Sequence, residues 1–232
     1  MNDASSLFDR PTLEVAQALV GVHLVHESAD GSRRRGRIVE VEAYIGEEDR
    51  ASHARFGRTA RNEVMYGPPG IAYVYLVYGM YDCLNIVTEP VGRPAAILVR
   101  AVEPIEGEAA MRASRLERTL ARRKTRSAAT DALEASRLGR LPTARLAAGP
   151  GLVAAAFGID RSFTGRDLLA PETDLRLELA PLDEPQPIVV ATPRLGIDFA
   201  GSPWTEVPWR LAIADHPSVS GPRTDRRPGR GR

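Results

Sequence analysis

IAYVYLVYGMYDCLNIV, residues 71–87, is the stretch whose reading decides the fold. Side chains of an extended chain alternate between faces. Tyr73, Tyr75 and Val77 therefore lie on one side, and Val74, Leu76 and Tyr78 on the other. Residues 71–78 and 81–88 each have strand length, and Gly79-Met80 joins them with glycine first, as a type II′ hairpin requires. The tip then reads Tyr78-Gly79-Met80-Tyr81, aromatic and apolar where turns normally carry polar residues.

Working outward, residues 11–21 carry helix spacing, with Leu13, Val15, Ala16, Leu19 and Val20 on one stripe and Gly21 as a stop. The turn ADGS separates strand candidates Val22–Glu27 and Arg35–Tyr44, and Ala95–Val102 is a further apolar strand. Residues 103–124 read as a helix that becomes strongly basic: Glu108 to Arg145 holds ten Lys+Arg against four Asp+Glu. Beyond the Pro/Gly-rich joint LPTARLAAGPG, the pattern predicts a helix at Leu152–Phe157 and strands at Leu175–Ala180, Ile188–Ala191 and Trp209–Ile213. Helices mixed with short strands, without repeat or clear boundary, point to an α+β fold in a single domain spanning residues 1–220. The tail GPRTDRRPGRGR, residues 221–232, is basic and Gly/Pro-rich and reads as disordered.

The chain has 232 residues, enough for one sizeable core, and its 43% hydrophobic and 26% charged residues exclude wholesale disorder. Thirty-one basic and 30 acidic residues leave a formal charge of +1, which argues against a histone-like polycation. Lys124 is the only lysine, so chemistry through a lysine Schiff base has one candidate besides the N-terminal amine. The single Cys83 excludes an internal disulfide framework and any Cys-rich zinc module. His23 and His26 fall on opposite faces of a strand, so no metal pair is expected, and no cofactor is implied. The opening MNDASSLFDR lacks a basic start followed by an apolar run, and no apolar stretch reaches the length of a membrane span. The expectation is a soluble, cytoplasmic protein without a membrane partner.

Three segments hold candidate chemistry. In GRIVEVEAY (36–44), alternation puts Ile38, Glu40, Glu42 and Tyr44 on one side and Val39, Val41 and Ala43 on the core side. Two carboxylates about 7 Å apart raise each other's pKa if buried, and such a group is a reasonable general base. A solvated face bearing two glutamates is the simpler reading of the spacing. In IGEEDRASHARFGRTARN (45–62), His53 stands among Arg55, Arg58 and Arg61, which form either a phosphate track or one exposed helical face. The hairpin tip is either a wedge that enters a base stack, with Tyr75 behind it for an extruded base, or a tip buried against the chain.

Together, GRIVEVEAYIGEEDRASHARFGR, RNEVMYGPPGIAYVYLVYGMYDCLNIV, AAILVRAVEPIEG, GPGLVAAAFGIDRSFTGRDL and PRLGIDFAG resemble the mammalian-type alkyladenine (3-methyladenine) DNA glycosylase family. They run from about Leu13 to Ser220, and the combination of EAY, a His eleven residues after the Glu, YVYLVYGMY and LVRAVEP is highly specific.

The resemblance implies a curved, largely antiparallel sheet with a protruding hairpin and surrounding helices. It implies an enzyme that flips alkylated purines out of duplex DNA and hydrolyses the N-glycosidic bond, starting base excision repair. Because Lys124 lies far in sequence from every pocket residue, the expectation is a monofunctional one. Glu42 matches the family's general base, and Arg100 the arginine that helps hold the attacking water; the backbone near Leu195 matches a carbonyl on that water. Tyr44 and Tyr75 match the aromatic pair around the base, with His53 opposite, and Asn85 the residue that discourages guanine. Tyr78, with Met80 beside it, matches the group that fills the gap in the duplex, while Arg55, Arg58 and Arg61 are candidates for the DNA backbone. The implied partner is double-stranded DNA carrying alkylated or deaminated purines, bound by a monomer associated with the nucleoid. The reading from another class is a non-catalytic protein that binds damaged DNA. Four features depart from the family pattern. Val41 replaces a common threonine, Asp82 puts an acid near the expected phosphates, and residues 126–146 are longer than usual. The loop from Arg58 to Arg61 is a residue shorter than in the mammalian pattern, so the resemblance does not fix the roles of those arginines.

Overall fold

The structure, a computed structural model, describes residues 8–123, 125, 127–180 and 186–221. Eight strands form one antiparallel sheet: β1 His23–Glu27, β2 Arg33–Ile45, β3 Ala72–Val77, β4 Tyr81–Val87, β5 Ala95–Glu106, β6 Leu175–Glu178, β7 Val189–Thr192 and β8 Arg210–Ile213. Its main path runs β3-β4-β5-β2-β1-β6, and β8 pairs with both β2 and β7. Helices α1 Thr12–Leu19, α2 Glu108–Ala121, α3 Ala128–Gly139 and α4 Pro150–Phe157 complete the expected α+β fold.

β2 is the spine. Its first half pairs with β1 (Glu27↔Arg33 to His23↔Arg37), and its second half with β8 (Glu40↔Ala212 to Glu42↔Arg210). Along its other edge it pairs with β5, where the register skips Val39 on β2 and then Arg100 on β5. Each skipped residue is a bulge, which bends the strand and re-aims side chains. Strict alternation therefore fails at this point. Ile38, expected beside Glu40, joins Val39 and Val41 in the main core. Gly36 allows β2 and β5 to approach: a Cβ there would stand 2.5 Å from Val102 Cγ1 and 2.6 Å from the Glu103 carbonyl.

The core lies between the sheet and α1, α2 and α4, with Leu19, Leu84, Ile97, Met111 and Phe157 fully buried. Burial of such side chains contributes about 1.5–3 kcal/mol each before entropy is counted. In α1 the buried stripe is Thr12, Val15, Ala16 and Leu19, while Leu13, expected on it, is exposed. β5 continues to Glu106 where a helix was expected from residue 103. Glu103 pairs across the strands with Arg37 at 2.7 Å, and Gly107, at φ 82, ends the strand before α2. The basic stretch supplies both α2, with three arginines, and α3, which carries only Arg137 and starts on a Ser127–Thr130 capping box. Residues 222–232, most of the tail, lie outside the described residues.

The hairpin turn also differs. Met80 N–H donates to the Val77 carbonyl at 2.9 Å, so the central residues are Tyr78 and Gly79, with φ 51 and 67. Two positive φ values are the sign of a type I′ turn, and because Val77 pairs with Tyr81 the connection is the three residues Tyr78-Gly79-Met80 rather than the expected two. A tyrosine in the left-handed region costs about 1 kcal/mol or more. Among the described residues no helix is long and apolar enough to cross a membrane, and no group of three or more His, Cys, Asp or Glu is placed to hold a metal.

Candidate active site

Glu42 and Glu40 are both fully buried, which excludes the solvated face. A buried carboxylate needs partners for its charge. Glu42 Oε2 accepts from the Tyr44 hydroxyl at 2.8 Å and from Arg100 Nη1 at 3.2 Å, and Oε1 accepts the Leu195 backbone N–H at 2.8 Å. A carboxylate offers about four lone-pair sites, so one direction of Oε1 remains for a further donor. Glu40 Oε1 accepts from Arg100 Nε (3.0 Å) and Arg210 Nε (2.6 Å), and its Oε2 accepts the Ser220 N–H (2.6 Å). The two carboxylates thus do not face each other bare: an arginine stands between them. Tyr44, pushed well above its usual range by burial and by the Glu42 charge, keeps its proton and acts as a donor.

Beside this cluster opens a cleft of about 520 Å³, within the range of small-molecule sites. Its walls bring together Tyr44, His53, Tyr75, Asn85, Arg100 and Leu195. His53 Nδ1 meets the Tyr73 hydroxyl at 2.9 Å, and its ring stands edge-on to Tyr75 with centroids 4.3 Å apart. Burial, then the Arg61 and Arg55 charges, lower the His53 pKa to about 4. The imidazole is neutral at pH 7. Because the unfolded chain takes up that proton near pH 6.5 and the folded one only near 4, His53 withdraws stability as pH falls between those values. A His53→Gln variant is therefore expected to lose less Tm than the parent between pH 7 and 4.5. Equal losses would remove the linkage.

Asn85 donates its amide to the carbonyls of Tyr73 (3.1 Å) and Cys83 (3.2 Å), which fixes the side chain against the sheet. Arg55 and Arg61 line the cleft, with Arg61 5.8 Å from the Tyr75 ring centroid. Arg58 does not. It holds Glu63 through two bonds of 2.6 and 2.7 Å and lies over Tyr66. Only His53–Phe56 is a short 3-10 turn here, so the three arginines do not share a helical face. At the hairpin, Tyr78 is 85% and Met80 48% exposed, so the tip is not buried against the chain. Asp82 points away from solvent and accepts from Arg118 Nη1 at 2.8 Å. Its charge is compensated within the fold.

The chain matches the family model described as Methylpurine-DNA glycosylase (MPG) over residues 6–217. It belongs to that family. It is 45% identical over 217 residues to a putative 3-methyladenine DNA glycosylase of Methanocella arvoryzae, covering 92% of each chain. A putative 3-methyladenine DNA glycosylase of Myxococcus xanthus is 42% identical over 223 residues, covering 96% of this chain and 95% of the relative. The DNA-3-methyladenine glycosylase of Mus musculus is 44% identical over 216 residues, 92% of this chain and 59% of the mouse protein.

In this methylpurine-DNA glycosylase family member, the residues that hold the cluster from behind are the ones sequence reasoning missed. Arg194 and Asp49, both fully buried, form a bidentate pair at 2.6 and 2.9 Å. Arg194 also donates to the Ala43 carbonyl at 2.9 Å and lies between the Tyr44 and Trp209 rings, 4.7 and 5.0 Å from their centroids. It anchors the loop that presents Leu195 N–H to Glu42. PRLGIDFAG contained the clue, yet a partner 145 residues away leaves no spacing to read.

Proposed function

We propose that this chain flips alkylated purines of the 3-methyladenine class out of duplex DNA and hydrolyses the N-glycosidic bond with a water activated by Glu42. The coarser part rests on family membership: the chain is a DNA glycosylase, a hydrolase of N-glycosyl bonds. The finer part is carried by one observation, a fully buried Glu42 with one open acceptor direction, bonded directly behind Tyr44, Arg100 and Leu195 in the wall of a cleft they share with Tyr75 and a neutral His53.

Alkylation at N3 or N7 makes the purine cationic and a good leaving group, so the chemistry needs a placed water more than a strong acid. Electron-rich ring faces favour a cationic base. A carboxylate aimed at C1′ removes the proton of the attacking water and opposes the positive charge that develops on the sugar. Arg100 and the loop at Leu195 fix the carboxylate in place. Neutral lesions such as hypoxanthine lack the built-in charge and are the poorer substrates in this reading. The released products are the free base and an abasic site. Imine chemistry is disfavoured because no primary amine lines the cleft among the described residues; Lys124, the only lysine, lies outside them.

Tyr78 is assigned to the gap left in the duplex. The test exploits its backbone. Tyr78→Gly removes the ring while relieving a left-handed φ, so Tm is expected to stay level or rise slightly, by no more than about 1 kcal/mol of stability. Flipping, read by 2-aminopurine fluorescence beside the lesion, is expected to weaken severalfold. An unaltered fluorescence change would remove the wedge. Excision of single-lesion duplexes by the monomeric chain tests the reading as a whole; lesion binding without base release would turn it into the non-catalytic alternative.

A further inference from the structure

The sheet carries a second carboxylate that the proposed chemistry does not use, and we infer that Glu40, with Ser220, is a positioning residue that sets the Arg100 guanidinium and through it Glu42. The inference rests on the Glu42 reading and extends it to a layer that never touches the cleft.

Glu40 is fully buried and is not among the cleft residues. All its contacts lead inward. Arg100, placed on a bulge of β5, uses each arm of its fork differently: Nε to Glu40 Oε1 (3.0 Å), Nη1 to Glu42 Oε2 (3.2 Å) and Nη2 to the Ser220 hydroxyl (3.2 Å). Three bonds in one plane fix both the position and the tilt of a guanidinium. Two of the three come from Glu40 and Ser220. Those two are themselves joined, since Ser220 N–H donates to Glu40 Oε2 at 2.6 Å and Arg210 bridges Glu40 (2.6 Å) to the Ser220 carbonyl (2.9 Å). Charges therefore alternate Glu42, Arg100, Glu40, Arg210, so neither arginine is left unbalanced in the interior.

Ser220 arrives on a strap that the fold holds firmly. Arg145 donates to the carbonyls of Pro217 and Val219, both at 3.1 Å, and His216 faces Glu103 at 3.4 Å. Ser218 and Ser220 are buried. The last described stretch of chain thus closes over the buried cluster, with Ser220 on Arg100, Arg210 and Glu40.

The test is Glu40→Gln in the full chain. Glutamine keeps the shape but removes the charge, and its amide N–H would face other donors around it. Arg100 then has Glu42 as its only anion and is drawn toward it. Single-turnover excision at saturating enzyme is expected to fall by about tenfold or more, because small misplacements at a reacting centre are costly. Affinity for a lesion duplex is expected to stay within about threefold, because Glu40 lines no part of the cleft.

A purely structural role would leave the pH profile where it was. Tyr44 on β2 and Tyr75 on β3 face Glu42 in neutral form, Arg100 on β5 is a fixed cation, and Arg210 on β8 lies one ion further out. Removing the Glu40 anion from this set favours ionised Glu42, so the acidic limb of the excision rate is expected to move to lower pH. Ser220→Ala is the second variant: it removes only the hydroxyl and is expected to slow excision by about twofold to fivefold, with Ser220→Thr restoring it. Should Glu40→Gln fail to fold, the Ser220 pair decides. Parental rates and an unmoved acidic limb in these variants, alongside an inactive Glu42→Gln, would overturn the assignment while leaving the proposed function intact. An active Glu42→Gln would instead sink the proposed function.

Discussion

Glu42→Gln is expected to abolish base release: single-turnover excision of a 3-methyladenine-class lesion falls by about 10²–10⁴-fold, the range a positioned general base supplies. Glutamine fills the same volume and can still accept one bond, so the sheet and the cleft persist. What disappears is the anion proposed to take the water proton. Binding to a lesion duplex is expected to change by no more than a few fold, since Tyr44, His53, Tyr75 and Asn85 still wall the cleft. The measurement pairs excision under single-turnover conditions with equilibrium binding of the same duplex. Excision at the parental rate would show that Glu42 is not the base. Weak binding together with slow excision would place its role in recognition instead.

The second large effect is on stability. Asp49→Asn leaves the Arg194 guanidinium buried, with no anion beside it and an amide N–H facing it. Breaking one side of a buried pair costs about 3–5 kcal/mol. For a domain of this size that corresponds to a Tm lower by roughly 6–20 °C. The loss does not stop at the pair. Asp49 also accepts the Ala51 N–H at 2.9 Å, and Arg194 carries the Ala43 carbonyl and the face of Tyr44. Excision is thus expected to fall even at temperatures where the variant stays folded, because Leu195 N–H loses its register on Glu42. Thermal melts and excision at 20 °C separate the two effects. A double replacement by apolar residues, Asp49→Leu with Arg194→Met, is expected to regain part of the Tm without regaining the rate. A Tm within about 2 °C of the parent for Asp49→Asn would mean the pair does not anchor the loop.

Much of this architecture was legible from side-chain period alone. The alternating run around Tyr73 and Tyr75 gave both strands of the hairpin, and the apolar run after Ala95 gave β5. What escaped was where a local pattern yields to a partner far along the chain. The segment after Val102 looked helical until Arg37 and Gly36 on β2 claimed Glu103 and Pro104 as a continued ladder. Ile38 was assigned to the wrong face because a bulge at Val39 has no signature in GRIVEVEAY. The turn type failed because Tyr78 adopts a conformation that a tyrosine does not advertise.

The candidate site divides along the same line. Glu42, Tyr44, His53, Tyr75, Asn85 and Arg100 were all picked out from the sequence; the fold gathers all but Glu42 in the wall of one cleft and bonds Glu42 behind that wall, to Tyr44, Arg100 and Leu195. Spacing alone, however, favoured an exposed Glu40 and Glu42, and only the arginines supplied by β5 and β8 make their burial possible. Arg58 followed its neighbour Glu63 rather than its two fellow arginines. Pairwise compensation of buried charge is a tertiary property, and the sequence carries no local record of it.

Cys83 sits in the wall of the same cleft, and burial pushes its thiol up to about 12. Sulfur reacts with electrophiles as the thiolate, and at pH 7 only about one molecule in 10⁵ carries it at such a pKa. The reagents that alkylate purine nitrogens are also thiol-seeking. The only sulfhydryl of the chain is therefore held in its least reactive form. That part of the cleft wall is chemically durable toward such agents.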